Sequence, residues 1–429
     1  MSSTQVPQGP AFAAKSETAK AEPWYHELSS ACWRSLALAG TAWAFDVFDS
    51  FLLSLTMPAL VAVFSLSKAD AGAIGSILAA GLVCGGIAFG WVADRIGRVR
   101  SLVICVALYS CFSGATAFAP SAGWVALLRF CAGLGMGGAW TSGAALVAET
   151  WPSKYRGRGG ALMQMGLPIG SMLAIGAAAI VDHAFGGMEG LGWRVLYIVG
   201  VLPIIVIALL ARNTPESPLW QQRAGSKERQ GSLREALSGA NMRGLLRALA
   251  FVFCCQYIYW GVFTWTPTFL ITVKHLNFVH SLGFVMTQQV GSLLGFLVFA
   301  AIVDRIGRRP SFLIYLLIGA ISVFVFVMAA EQAVLYVAIF WTGFGITGLF
   351  AGLGPFTAEL VPDSGSRGLT MGIAYNAGRL GGILAPYLIG SLAVSEAGFR
   401  LGMGTNIIAF VLAAIVIKIS PETKGIQLS

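Results

Sequence analysis

The chain has 429 residues, of which 56% are apolar and only 11% charged, and its mean hydropathy is +0.76. A soluble domain typically carries about 25% charged residues, so this composition excludes the soluble class. It also removes nucleic acid as the explanation for a formal charge of +9. Seven cysteines (Cys32, Cys84, Cys105, Cys111, Cys131, Cys254 and Cys255) lie in or beside apolar runs. Their number is odd and their spacing is not that of metal ligands, so they read as packing residues.

Residues 1–30 are polar and rich in Ala, Ser and Pro, without an apolar core beside a cleavage site. They read as a flexible cytoplasmic tail rather than a signal peptide. Six apolar runs follow, each of about 20 residues, the length that crosses a ~30 Å hydrocarbon core. They cover about Trp33–Met57, Ala71–Ala93, Ser101–Ala119, Gly123–Leu146, Gly159–Val181 and Trp193–Ala211, and form an N-terminal bundle, 31–211. A polar stretch, 212–243, contains Pro215-Glu216-Ser217-Pro218 and Lys227-Glu228-Arg229. It is too short to bury a core of its own, so it reads as a cytoplasmic linker. Six further runs cover about Leu245–Ile271, Leu282–Val303, Ser311–Ala330, Ala333–Phe356, Gly368–Leu392 and Leu401–Ile419. These make a C-terminal bundle, 244–419, with a cytoplasmic tail at 420–429. All twelve are helices, because an open backbone in lipid would leave its polar groups unpaired.

Lys and Arg concentrate in alternate loops. With a cytoplasmic N-terminus the split is about 22 inside to 4 outside, so both termini are expected to be cytoplasmic and the membrane to be the plasma or inner membrane. Glycines line the second helix (Gly81, Gly85, Gly86, Gly90), the fourth (Gly133, Gly135, Gly137, Gly138) and the tenth (Gly343, Gly345, Gly348). Small residues let backbones approach closely in lipid, either as fixed seams or as surfaces that slide during a conformational cycle.

The halves repeat. Gly90-Trp91-Val92-Ala93-Asp94-Arg95-Ile96-Gly97-Arg98 returns as Val303-Asp304-Arg305-Ile306-Gly307-Arg308, with Asp94 and Asp304 210 positions apart. Glu149-Thr150-Trp151-Pro152 followed by Tyr155-Arg156-Gly157 returns, at the same offset, as Glu359-Leu360-Val361-Pro362 followed by Ser366-Arg367-Gly368. Two motifs at one spacing mean a duplicated unit.

Two six-helix halves, each with an acidic-basic turn after its second helix, resemble the major facilitator superfamily from Trp33 to Gly425. Gly90, Asp94, Arg95, Gly97 and Arg98 match that family's signature turn, while Ala300 stands where the second copy would have the first Gly. Leu128-Arg129-Phe130-Cys131-Ala132-Gly133-Leu134-Gly135 is similar to the family's fourth-helix motif. Pro215-Glu216-Ser217-Pro218 and Ser420-Pro421-Glu422-Thr423 resemble its boundary motifs. The resemblance implies an all-α membrane fold of twelve helices in two pseudo-symmetric bundles. Within the superfamily, Asp46-Val47-Phe48-Asp49, the run from Trp140 to Pro152, and Tyr375-Asn376-Ala377-Gly378-Arg379 resemble proton-coupled organic-acid carriers. The branch is that of sialate:proton symporters and lactate and pyruvate permeases, and aromatic-acid and niacin carriers share parts of the pattern. Val47 replaces a usual Gly, and Ala139 stands where the branch often has a Glu, which puts the coupling route in question.

An ionisable side chain inside a membrane helix is costly and therefore a functional candidate. Asp46 and Asp49 share one helix face. Two close carboxylates in a low-dielectric site do not both ionise freely, so they are candidates for proton coupling. Arg129 lies six residues into the fourth helix, about 9 Å deep, level with Asp49 and able to pair with it. Arg379 falls near the midplane, where its planar fork suits a substrate carboxylate or a salt bridge to Asp46 or Asp49. Gln256, Tyr257 and Trp260 on the seventh helix, Gln164, Gln288, Gln289 and Asn376 complete the substrate set. Asp94, Arg95, Arg98, Glu149 and Arg156, with Asp304, Arg305, Arg308, Glu359 and Arg367, are read as a charged cytoplasmic gate.

The expected function is proton-coupled symport of a small organic anion, a monocarboxylate or sugar acid, by a monomeric carrier with rocker-switch alternating access. A facilitator without protons, or a niacin or aromatic-acid carrier, is the alternative. A polytopic enzyme is remote. The four histidines form no His-Glu-x-x-His pattern and no phosphate loop is present, so no catalytic residue, metal or cofactor is expected. A sensor would need a signalling domain, and a channel a continuous polar pore lining.

Overall fold

The computed structural model describes residues 24–152, 155–223, 239–360 and 367–423. It is helical throughout these residues. The membrane helices are α1 (Ser30–Phe64), α2 (Lys68–Ile96), α3 (Arg98–Thr116), α4 (Ala122–Thr150), α5 (Arg156–Gln164 and Gly166–Phe185) and α6 (Trp193–Val199 and Pro203–Arg212). The second half has α7 (Gly239–Thr272), α8 (Phe278–Ile306), α9 (Arg308–Met328), α10 (Gln332–Glu359), α11 (Arg367–Gly378 and Leu380–Leu392) and α12 (Glu396–Ile419). Eleven of these, counting the pieces of α5 and of α6 as one each, are long and apolar enough to span a membrane; the twelfth is α11, split at Arg379.

Three of the expected continuous helices are thus interrupted, and proline explains two of them. Pro168 has no N–H for the Gln164 carbonyl, and α5 breaks at Met165. Pro203 has none for Val199, and α6 breaks there. At Arg379 the turn tightens, its carbonyl accepting from Gly382 N at 2.8 Å, among the glycines Gly378, Gly381 and Gly382. Other ends overrun the apolar runs. α1 continues to Phe64 and α7 begins at Gly239, inside the expected linker, because a helix needs no apolar residues once it leaves lipid.

Local chemistry sets the joints. Ser67 and Asp70 form a reciprocal capping box at α2, and Asn277 and Ser395 cap α8 and α12. Between α2 and α3 the backbone turns through Gly97 at φ 105°, and between α8 and α9 through Gly307 at φ 103°. A side chain at either would be strained, which is why the repeated turn keeps glycine there. The N–H groups that open α3 are satisfied by a carboxylate from beyond α6: Glu216 accepts from Arg98 N at 2.7 Å and Val99 N at 3.1 Å. Glu422, beyond α12, does the same for Arg308 N at 2.9 Å and Arg309 N at 3.0 Å. A carboxylate at a helix N-terminus bonds free donors and meets the positive end of the dipole. Glu216→Ala is expected to cost about 1–2 kcal/mol, and Glu422→Ala less because its bonds are more exposed. Thermal unfolding in detergent checks the order; equal melting points would deny these caps a stabilising role.

Within each half the second and fourth helices pack backbone to backbone. A Cβ at Gly85 or Gly137 would run into the Leu134 or Leu82 carbonyl of the facing helix. Gly291 and Gly343 are similarly tight between α8 and α10. Gly135, Gly138, Gly345 and Gly348 pack mainly on α3, α9 or their neighbours, so these glycines are seams inside a half. Gly86 alone in this set faces the other half, at Asn376 and Arg379, and Gly90 faces open space. Outward surfaces are apolar, with Ile87, Ile180, Leu317 and Leu401 each more than 60% exposed, as a lipid-facing belt requires.

The halves meet on the side of the α1–α2 loop. Ser54 donates to the carbonyls of Phe263 (2.9 Å) and Thr264 (3.0 Å), Ser76 donates to the Ile383 carbonyl, and Lys68 sits over the Phe399 ring. Gly72 and Gly75 lie against Pro386. The described hydrogen bonds and ring contacts between halves extend from there to the level of Arg379.

Candidate substrate and coupling site

A cavity lies between the halves at mid-depth. α1 contributes Asp46, Ser50 and Ser54, and α7 contributes Gln256, Trp260 and Thr264. These are the same positions of the duplicated unit, each pair 210 residues apart. The repeat therefore lines both walls with one face of its first helix.

Arg379 enters from the break in α11 and is 8% exposed. Its Nη1 donates to the Leu82 carbonyl of α2 at 3.1 Å, and its guanidinium carbon lies 5.1 Å from the Tyr375 ring centre and 5.8 Å from that of Trp140. Tyr375 and Trp140 stack at 4.6 Å across the two halves, and Trp140 Nε1 donates to Gln164 Oε1 at 3.2 Å. Asp46 faces the same cavity with Oδ2 buried and without a hydrogen-bond partner. No ion pair joins it to Arg379. A cation and a carboxyl group thus share one largely aromatic chamber, each with bonding capacity to spare. The Leu82 carbonyl that holds Arg379 is also the atom that Gly137 packs against. Gly137→Ala should displace it, at a cost of roughly 1–3 kcal/mol, and weaken ligand binding as well as lower the melting temperature. If stability falls and affinity does not, the Leu82 contact is irrelevant to the cavity.

Behind this chamber, inside the first half, Arg129 and Asp49 pair at 3.0 Å with no exposure of either side chain. Ser113 donates to Asp49 Oδ1, and Arg129 Nη2 donates to Thr116 Oγ1 at 3.0 Å. The Tyr197 ring lies 4.8 Å from the guanidinium, with its hydroxyl 3.1 Å from Thr56. The sequence reading paired Asp49 with Arg129; it did not single out Ser113, Thr116 or Tyr197, which carry no charge to mark them in a membrane helix.

The remaining candidates divide. Gln256, Trp260 and Gln164 line the cavity. Asn376 lies beside it, against Gly86. Tyr257 does not line it: its hydroxyl bonds Thr405 of α12 at 2.7 Å, and Tyr259 takes its place on the wall. Gln288 and Gln289 are fully buried outside the lining, their amides without protein partners. Trp43, Tyr259 and Tyr375 also line the cavity, though none was among the expected substrate residues, and Trp140 stacks on Tyr375 beside it.

Of the charged turns, Arg98 pairs with Glu149 at 3.1 Å and Arg308 with Glu359 at 3.2 Å. Ser217 and Thr423 donate to the same glutamates in the two halves. Both ion pairs close within their own half, tying the α2–α3 or α8–α9 joint to the end of α4 or α10. Arg95 is exposed and stacks on Trp91 at 3.4 Å, and Arg305 is also exposed. The side chains of Asp94, Arg156, Asp304 and Arg367 lie outside the described residues.

Twelve membrane helices in two like halves around a midplane cavity define a polytopic membrane carrier. The Major Facilitator Superfamily model matches residues 40–287 and 279–427, and the chain belongs to that family. It is a transporter by family, not an enzyme. It is 32% identical over 408 residues, 94% of each chain, to a probable 4-methylmuconolactone transporter of Cupriavidus pinatubonensis. It is also 32% identical to a cis,cis-muconate transport protein of Acinetobacter baylyi, over 84% of this chain and 86% of that one. Its fold is that of the xylose transporter XylE of E. coli, with a TM-score of 0.75 over 93% of this chain and all of that one, at 22% identity.

Proposed function

We propose that this protein carries a small unsaturated or aromatic organic acid across the membrane together with protons. The observation that carries the reading is Arg379, a permanent cation in a cavity walled by Trp43, Tyr259, Trp260, Phe263 and Tyr375. A guanidinium binds a carboxylate bidentately, and aromatic walls suit a flat conjugated body better than a sugar ring with its many hydroxyls. The names of the two curated relatives support the same class.

Coupling is assigned to Asp49 and Asp46. With Asp49 ionised, the Arg129 pair is closed; protonation of Asp49 releases Arg129 and loosens α1 against α4. Asp46 adds a second proton acceptor facing the substrate chamber. Substrate bound at Arg379 and protons bound at α1 together favour closure of the cavity, and the halves then separate at the Ser54 and Ser76 contacts. Arg98–Glu149 and Arg308–Glu359 keep each half rigid as it moves, while both termini remain cytoplasmic and the carrier works as a monomer.

The test is uptake of labelled benzoate, nicotinate, cis,cis-muconate, lactate and N-acetylneuraminate into proteoliposomes with an imposed inward proton gradient. Gradient-driven accumulation of a conjugated acid is expected. Accumulation of lactate or N-acetylneuraminate alone would overturn the substrate class, and uptake that only equilibrates would overturn the coupling.

A further inference from the structure

Between the chamber and the buried ion pair lies a tyrosine that neither assignment uses. Tyr109 of α3 is fully buried, and its hydroxyl has no hydrogen-bond partner among the protein's groups. Its backbone packs on Gly135 of α4, where a Cβ would collide, so α3 lies tight against α4 at this level.

Register puts it level with Asp46. α1 and α3 run in the same direction. Ser113 reaches Asp49, and Tyr109 lies one turn before Ser113 on the same face. Asp46 lies one turn before Asp49 on α1. Side chains in a helix lean toward its N-terminus, which carries the Tyr109 ring to the Asp46 level or just beyond. Asp46 and Asp49 are both close enough to act electrostatically on its hydroxyl. Asp46 Oδ2 is likewise buried without a partner, as is the Ser110 hydroxyl beside Tyr109 on α3. Other titratable or charged groups around this stretch are the Cys105 thiol on α3, Arg129 on α4, the Tyr197 hydroxyl on α6 and, across the chamber from Asp46, Arg379 and Tyr375 on α11 and Tyr259 on α7. Arg129 is engaged by Asp49 and Thr116, and Tyr197 by Thr56.

We propose that the Tyr109 hydroxyl relays protons between Asp46 in the chamber and Asp49 in the buried pair. A protonated Asp46 gives its proton to the Tyr109 oxygen, directly or through one bridging water, as the hydroxyl passes its own proton to the Asp49 carboxylate. Asp46 ends as the anion, Asp49 as the acid, and the tyrosine is neutral before and after. The relay gives Asp49, which has no exposure of its own, a connection to the substrate chamber. It also makes the order of events definite: Asp46 protonates first, and the Asp49–Arg129 pair opens second. The proposal rests on the coupling role given to the two aspartates above.

The test needs no substrate. Full-length protein in proteoliposomes is followed by time-resolved infrared spectroscopy after a photochemical pH drop, with Asp46→Asn and Asp49→Asn assigning the carboxylic-acid bands. In Tyr109→Phe the Asp49 band is expected to rise at least about 10-fold more slowly, to its full wild-type amplitude. A merely structural tyrosine would not separate rate from amplitude, and the near-isosteric Phe keeps the packing on Gly135. An Asp49 band that rises at the wild-type rate in Tyr109→Phe sinks the relay alone. The absence of any Asp49 band in the wild type sinks the coupling role and the relay with it.

Discussion

Arg379→Gln is expected to weaken binding of the transported acid by about 100-fold or more, and Arg379→Lys to restore only a small part of that loss. Removing one partner of a desolvated, hydrogen-bonded charge pair costs about 2–5 kcal/mol, and each 1.4 kcal/mol is about a factor of ten. The glutamine keeps some bulk and can still donate to the Leu82 carbonyl, so the cavity should keep its shape while losing its charge. Lysine keeps the charge but not the planar fork, nor the stacking that Trp140 and Tyr375 offer a guanidinium. Titration of the intrinsic fluorescence of Trp140 and its neighbours with the acid accumulated by the wild type reads the affinity. Unchanged affinity in Arg379→Gln would remove Arg379 from the substrate site. It would then leave Asp46 as the natural partner of that arginine, and its role would be conformational.

How much of this was legible from sequence depends on what made each residue conspicuous. Lipid forces about 20 apolar residues per crossing, so the twelve runs and their duplication stand out, as do charges such as Arg379, Arg129 and Asp49 that lipid would reject. Helix faces are harder. Gln256, Tyr257 and Trp260 looked like one face, but the wall of the chamber is Gln256, Tyr259, Trp260 and Phe263, and Tyr257 turns to Thr405. Only neighbours decide which stripe of an all-apolar helix points inward. The repeat held a better signal: moved by 210 positions, Asp46 becomes Gln256, Asp49 becomes Tyr259 and Ser50 becomes Trp260. Ser113 and Thr116 were invisible for another reason. A hydroxyl in a membrane helix commonly bonds its own backbone, as Thr56 does to Leu52 at 2.7 Å, so its presence alone points to no partner. The break at Arg379 was also hidden, since no proline follows it at the spacing that ends the first pieces of α5 and α6.

The second large effect concerns the buried pair. Asp49→Asn is expected to abolish gradient-driven accumulation while leaving exchange of the same acid across the membrane measurable. Asparagine can accept from Arg129 through its carbonyl and donate its NH2 to the Ser113 hydroxyl, but cannot change charge, so the carrier cycles loaded without registering the proton. Stability should separate the partners. Arg129→Met strands a carboxylate in a fully buried site and is expected to cost about 3–5 kcal/mol, unless Asp49 takes up a proton to stay neutral. That condition gives the experiment its sign. The penalty of Arg129→Met should be largest at high pH, where Asp49 must remain an anion, and should shrink as the medium is acidified. In the double variant Asp49→Asn, Arg129→Met it should largely disappear at every pH, because no buried charge remains. Thermal unfolding across pH, set beside accumulation and exchange in proteoliposomes, gives the full cycle. A double variant as unstable as Arg129→Met alone, or an Asp49→Asn carrier that still accumulates its acid, would make the pair a packing element rather than the protein's proton switch.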